Sequence, residues 1–281
     1  MVSSSEALEK ERRDFLERKE HFYRFPQLYR VEPFRVAGNL YFIGNQDVGS
    51  YLLDTEEGLI VVDTGYPTTQ GLLIHSIVSL GFRVEDIRII VHTHGHFDHI
   101  GCTSLLKELS CGTTYLGRRD GEMFARQPEL SLKGWSGCDY FTLFTPDRLM
   151  GDGDIISLGT TKIRVVETPG HSDGTVSLFF DVREEGRTYR CGLMGGAGLN
   201  TLSDAFVSVY GRRQAREEFV ASLNRLYQEN VDINLGNHTS QNFTVEKRER
   251  MVRQGDGEEN PFVDPGEWRR FLDERLASAR W

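Results

Sequence analysis

The 281-residue sequence has no run of about 18 apolar residues, so no membrane-spanning helix is expected. Its first ten residues, Met1 to Lys10, are polar and acidic and lack an apolar core of signal-peptide length, so no export leader is expected. Positive charge is in the minority: 33 Lys and Arg against 42 Asp and Glu leave a net charge of −9, with no long basic stretch. Nucleic-acid binders carry a positive footprint, and its absence argues against such a partner. Cysteine is sparse and scattered. Cys102, Cys111, Cys138 and Cys191 form no C-x-x-C pair, which fits reduced thiols in a cytoplasmic protein. Neither a short-period repeat nor a low-complexity segment occurs.

What remains is an ordinary globular composition, 38% hydrophobic and 27% charged, in a chain long enough for one large domain or two small ones. The histidines are not evenly spread. Half of them fall in one stretch, His92-Thr93-His94-Gly95-His96-Phe97-Asp98-His99. The preceding run Ile87–Val91 reads as a buried strand, and Cys102 to Leu109 has the apolar spacing of a helix, so the cluster lies in a strand-to-helix turn. Residues two apart in extended chain point the same way, so His94 and His96 can face one metal ion. Asp98 and His99 diverge, which suits a second ion nearby. A lone histidine is usually a satisfied surface or core residue; H-x-H-x-D-H is not.

The rest of the chain supplies short strands and a few amphipathic helices. Leu8, Phe15, Leu16, Phe22 and Tyr23 form a narrow apolar stripe over residues 1–30, read as a helical extension. The stripe suits a homo-oligomer contact, a lid, or packing on the chain's own domain. Leu40–Gly44, Ser50–Asp54 and Leu59–Asp63 read as strands, followed by a helix opening at Pro67 and closing at Gly81. A loop from Gln127 to Pro146 carries Trp135, Tyr140, Phe141 and Phe144, and loops of that length are often functional. Ile155–Leu158, Lys162–Glu167, Thr175–Asp181 and Arg187–Leu193 then read as strands, with a helix over Arg213–Glu229 and a last strand at Ile233–Leu235. Helices are expected at Val245–Arg253 and Gly266–Ala279, the second capped by Asp264 with Pro265 at its first position. Two β-rich halves, each followed by helix, predict two sheets packed face to face with helices outside, an α/β (α+β) arrangement. The expected organisation is 1–30 as the extension, 31–240 as the main domain, and 241–281 as helices packed on it.

H-x-H-x-D-H resembles the metal-binding signature of the metallo-β-lactamase superfamily. The likeness extends to Val61-Val62-Asp63-Thr64-Gly65, to Thr168-Pro169-Gly170-His171 and to Gly236-Asn237-His238, in the family's order. The resemblance implies an αββα sandwich of two mixed sheets with metals at their common edge. It implies His94, His96 and His171 around one ion and Asp98, His99 and His238 around a second. Zinc is the expected metal, two ions per chain, with iron or manganese as alternatives. Asp63 is expected to orient a ligand or a backbone group, and His92 to pack or support rather than ligate. His21 and His75 are expected to be unconnected with the site.

Several branches of the superfamily carry a metal-bridging aspartate after the strand matching Arg187–Leu193, where this chain has Gly196. The ligand set without it resembles the third subclass of β-lactamases, yet the serines of that subclass are replaced by Gly195 to Gly198. The expected function is therefore a dinuclear zinc hydrolase in which Asp98 orients a zinc-activated hydroxide against a lactam, amide or ester-like carbonyl of a small molecule. The alternatives are a lactonase or thioesterase without the bridging aspartate, and a metal-keeping binding or regulatory protein. Trp135, Tyr140 and Asn200 are candidates for substrate contact.

Overall fold

The computed structural model describes residues 3–254, 258–279 and 281. The chain opens with helix α1 (Ser4–Arg24), whose capping box joins Ser3 and Glu6 reciprocally. Strands β1 (Phe34–Ala37), β2 (Leu40–Phe42), β3 (Tyr51–Asp54) and β4 (Leu59–Val62) lead to α2 (Gln70–Ser79) and β5 (Ile87–Val91). A single turn of helix, α3 (Phe97–Ile100), and then α4 (Thr103–Ser110) follow, with β6 (Thr113–Gly117), α5 (Arg118–Arg126) and β7 (Arg148–Met150) completing the first half. The second half contains β8 (Ile155–Leu158), β9 (Thr161–Glu167), β10 (Val176–Glu184), β11 (Arg187–Leu193), α6 (Asp204–Tyr210), α7 (Ala215–Leu226) and β12 (Ile233–Leu235). Helices α8 (Thr244–Gln254) and α9 (Glu267–Ser278) end it.

The first half forms a seven-stranded sheet in the order β1 to β7, and the second a five-stranded sheet ordered β12-β11-β10-β9-β8. Both are mixed. Strands β1 to β4 pair antiparallel and β4 to β7 parallel, while β11 and β12 form the one parallel pair of the smaller sheet. Alternation sorts each strand's side chains between two cores. Leu53, Ile60, Val62 and Val91 face Val165, Leu178, Phe180 and Leu193 between the sheets. On the outer face of the larger sheet Leu52, Val61, Ile87 and Ile90 meet Leu73 and Ile77 of α2 and Leu106 of α4. On the outer face of the smaller sheet Val166 and Phe179 meet Phe219 and Leu223 of α7 and Trp268 and Leu272 of α9. The layers are thus helix, sheet, sheet, helix, as the sequence resemblance implied. Strand β4, Leu-Ile-Val-Val, is buried at every position because it has a core on each face.

Several local expectations change. Pro67–Thr69 is a 3-10 turn and α2 begins only at Gln70. Asp264 does not cap α9; it accepts from the Gly266 amide at 2.9 Å, and the helix starts at Glu267. Two 3-10 turns, Pro128–Ser131 and Lys133–Trp135, interrupt the 127–146 loop. Strands β6 and β7 and helices α5 and α6 were not expected. The apolar stripe of α1 is used inside the chain: Leu8 and Phe22 are buried in a cluster with Tyr66, Phe97, Trp135 and Phe206. Among the described residues no helix is long and apolar enough to cross a membrane.

Candidate metal centre

Strands β4 and β5 lie side by side and parallel, so their carboxyl ends emerge together. Asp63 ends the first and the histidine cluster ends the second. Asp63 takes the left-handed conformation, φ 53°, and so turns its carboxylate under the cluster. One oxygen accepts from the Thr93 amide at 2.8 Å; the other accepts from the Thr93 hydroxyl at 2.7 Å and from His99 Nδ1 at 2.9 Å. A single buried carboxylate thereby fixes both the backbone before His94 and the ring of His99.

The ring nitrogens follow from that network. The Thr93 hydroxyl donates its one hydrogen bond to Asp63, so it accepts from His94 Nδ1 at 3.0 Å. His171 Nδ1 donates to the Gly198 carbonyl at 2.8 Å. His94, His99 and His171 therefore carry their protons on Nδ1 and present unprotonated Nε2. The Nε2 atoms of His94 and His99 are buried without a hydrogen-bond partner, an expensive arrangement unless a cation accepts their lone pairs. His171 Nε2 faces His96 Nδ1 at 2.9 Å. Donor atoms of His94, His96 and His171 all lie within 4.8 Å of one another, and so do those of His94, Asp98 and His99. Burial, aided by the neighbouring imidazoles, pulls His94 and His96 well below the usual imidazole range, and burial takes His171 down to about 3. His99 goes the other way: burial is outweighed by Asp98 and Asp63, which raise it.

The Thr168-Pro169-Gly170-His171 turn is held by contacts that the sequence did not advertise. Gly170 has φ 135° and lies so close to α7 that a Cβ there would meet Phe219 at 2.6 Å. The buried Arg212 guanidinium donates to the carbonyls of Gly170, His171 and Thr201 and to Asp173. Asp120, in the first turn of α5, accepts from the Gly95 and Gly174 amides and from the Ser172 hydroxyl, each at 2.7 Å. It ties the His94–His96 segment to the His171 turn. Burial raises its carboxyl, against the pull of those donors. Gly196 has φ 57°, and a Cβ there would stand 2.6 to 2.8 Å from the His171 ring. The missing side chain at that position is thus required by the approach of His171.

His238 follows β12 and reaches the centre from the far side. Its Nε2 is 3.6 Å from Asp98 Oδ2, the same distance that separates that oxygen from His99 Nε2. Its Nδ1 donates to the Asp47 carbonyl at 3.2 Å. Asp47 sits in the β2–β3 loop, where its carboxylate takes Tyr66 Oη at 2.5 Å and pairs with Lys19 of α1. Burial would raise that carboxyl, but His238 and Lys19 hold it well below the usual range. Asp98 and His238 are the accessible edge of the centre, with side chains 15% and 29% exposed, whereas His94, His96, His99 and His171 are buried.

The other residues singled out in the sequence distribute as follows. His92 is buried, bonded through Nε2 to Thr103 Oγ1 at 3.0 Å and packed on Phe144; burial lowers it to about 4. Trp135 is buried beneath α1 against Phe15 rather than lining open surface. Tyr140 is exposed with its hydroxyl on the Pro67 carbonyl, and Asn200 is exposed beside Gly198. His21 and His75 lie away from the centre, on Tyr29 and on Arg30 and Ser79. Asp47, Asp120 and Arg212 were missed by the sequence reading. Nothing local marks them, since an acidic residue in a loop or a first helical turn, and an arginine between two helices, are ordinary.

A cluster of imidazoles with bare Nε2 atoms and one carboxylate fits a borderline divalent metal. The descriptive model of the metallo-β-lactamase superfamily matches residues 44–184. Among solved structures, the native metallo-β-lactamase FEZ-1 from Legionella gormanii is 27% identical, with a TM-score of 0.79 over 89% of this chain and 95% of that one. BJP-1, a subclass B3 metallo-β-lactamase of Bradyrhizobium japonicum, is 26% identical, with a TM-score of 0.74 over 89% and 96%. An N-acyl homoserine lactonase of Bacillus thuringiensis is 25% identical over 171 residues, 50% of this chain and 61% of that one. The matched stretches span only 47% and 61% of the lengths of the first curated relatives. With the sandwich, the histidine cluster at its edge and the match over half its length, the chain belongs to the metallo-β-lactamase superfamily.

Proposed function

We propose that the chain is a dinuclear zinc hydrolase acting on a small-molecule carbonyl compound. The observation that carries this reading is the pair of buried, partnerless Nε2 atoms on His94 and His99, each in a group of converging donors. His94, His96 and His171 would hold one ion, and Asp98, His99 and His238 the other. Bound zinc supplies Lewis acidity, polarising a carbonyl and lowering the pKa of water to about 7. The residues supply the rest. Asp98 stands between His99 and His238 on the accessible edge, where its carboxylate can orient a water molecule and take its proton. Asp63 and Asp120 keep the two histidine segments from shifting during the reaction. Asn200, beside Gly198, and Tyr140 are the exposed side chains we assign to substrate contact; Trp135 would act through packing. The free thiols support a reducing compartment.

The stretch where third-subclass β-lactamases carry serines reads Gly195-Gly196-Ala197-Gly198 here and offers no side-chain hydroxyl, and each hydrogen bond to a charged group is worth roughly 1.5 to 3 kcal/mol. Weak, poorly saturating β-lactam hydrolysis is therefore expected, with better turnover of another lactam, lactone or ester-like compound. The lactonase match favours lactones as the second reading. Elemental analysis of protein purified without chelator should find two zinc ions per chain. Steady-state kinetics on a penicillin, a cephalosporin, a carbapenem, an acyl lactone and a thioester decide the substrate class. A low KM with fast turnover on any of the three drugs would make the chain a dedicated β-lactamase, and no turnover on any compound would favour a binding or regulatory role.

A further inference from the structure

We propose that Lys19 and Asp47 are positioning residues through which α1 holds His238 against Asp98, so that the N-terminal helix is a latched cover coupled to ion retention at that position. The Lys19 ammonium pairs with the Asp47 carboxylate. It also sits 6.0 Å from the Phe15 ring centroid, 5.2 Å from that of Phe22 and 5.3 Å from that of Tyr66. A cation partly desolvated among three aromatic faces and one carboxylate is held more firmly than a surface ion pair. Two of the rings belong to α1 itself; Tyr66 and Asp47 belong to the sandwich, and Tyr66 donates to the same carboxylate. The backbone of Asp47 is the other half of the device. Its carbonyl accepts from His238 Nδ1 and from the Thr239 amide, and the flanking Gln46 carbonyl accepts from the Thr239 hydroxyl. One residue therefore bears on α1 with its carboxylate and on His238 with its main-chain carbonyl, the carboxylate also standing 3.8 Å from His238 Nδ1.

The rest of α1 reinforces the cover. Phe15 packs edge-on to Phe97, which directly precedes Asp98, and on Trp135. Tyr23 donates to the Trp135 carbonyl at 3.0 Å and Arg12 to that of Gly134. Beyond its C-terminus at Phe25 the chain is pinned to the same β2–β3 loop, where Gln46 donates to the Tyr29 carbonyl at 2.9 Å. The helix is thus anchored just past its C-terminus by the Tyr29–Gln46 bond and latched at Lys19. Coupling of this kind is reciprocal: closure of α1 strengthens ion binding at Asp98, His99 and His238, and loss of that ion loosens α1.

The inference rests on the two-ion reading, and the experiment separates them. Zinc-loaded wild type, Lys19→Met, Lys19→Arg and Asp47→Asn chains are titrated with a chromophoric chelator, and hydrogen exchange of residues 4–24 is followed by mass spectrometry. Lys19→Met should weaken the more labile ion by about tenfold, in the range of other lost supports to a metal ligand, and leave the tighter ion unchanged. Exchange in α1 should quicken in that variant, and also in wild type stripped of its labile ion. Lys19→Arg should restore both, since a guanidinium can pair with Asp47 and stack on the same rings. If Asp47→Asn does not fold, Lys19→Met decides alone. Faster exchange with unchanged ion affinity overturns the latch and leaves the two-ion reading standing; a wild type that holds one ion overturns both.

Discussion

Asp98 and Asp120 show how differently two carboxylates can serve one centre. Asp98 is at the accessible edge with imidazole nitrogens 3.6 Å away on two sides, while Asp120 is fully buried and contacts only the scaffold of the histidines. Asp98→Asn keeps the shape and removes the charge, so activity should fall by orders of magnitude while thermal melting stays near that of wild type. Full activity in this variant would remove Asp98 from the reaction. Asp120→Asn should behave oppositely in stability. It weakens three charge-assisted hydrogen bonds and turns an amide donor toward backbone N–H groups, so about 2 to 4 kcal/mol should be lost in urea denaturation. A variant as stable as wild type would show that Asp120 does not tie the His94–His96 segment to the His171 turn. The signature histidines were legible in sequence because four fall together; Asp120 was not, because its partners Gly95, Ser172 and Gly174 come from two distant segments.

Elements divide the labour between framework and site. Strands β4 and β5 deliver Asp63 and the histidine cluster, and both were legible as short apolar runs. Strands β6 and β7 were not: Thr113–Gly117 and Arg148–Met150 have weak alternation and owe their conformation to parallel pairing with β5 and with each other. Helix α6 is likewise a product of its neighbours, Phe206 and Ala205 being buried beneath α1. Helix α7 had a clear apolar face, but its role as the surface against which Gly170 turns required the fold. Leu223→Ala in α7, a fully buried leucine away from the histidines, should cost about 2 to 5 kcal/mol in urea denaturation and leave zinc content per folded chain unchanged. Loss of zinc in proportion to stability would mean that the outer helix layer and the centre are energetically one unit.

For the molecule as a whole the buried imidazoles set a pH dependence. In the metal-free chain His92 and His171, lowered to about 4 and 3, stay neutral when folded, while unfolded histidine titrates near 6.5. The unfolded state therefore binds more protons as pH falls below about 6.5, and folding stability declines until the folded values are reached. His94 and His96 shift in the same direction; His99 is raised and offsets part of the loss. Each depressed imidazole should subtract about 1 to 2 kcal/mol between pH 7 and pH 5. Urea midpoints of chelator-treated protein at those two pH values measure the sum, and equal midpoints would show that the histidines are hydrated in the metal-free state.

Sequence alone determined the layered α/β plan, the position of the histidine cluster after a buried strand, and the family resemblance, because those signals are local: apolar periodicity, turn residues and a dense H-x-H-x-D-H. It also marked the apolar stripe of α1 without saying what that stripe would cover. Tertiary structure decided everything that depends on segments far apart in the chain. It chose Tyr66, Phe97, Trp135 and Phe206 as the docking place of α1, set Lys19 of that helix on Asp47 beside His238, and joined the His94 and His171 segments through Asp120. It also gave a reason for the glycine at 196, where the sequence showed only a missing carboxylate: the His171 ring fills the space a side chain would need. Such contacts arise from packing two sheets whose loops meet at one edge, and no window of neighbouring residues contains them.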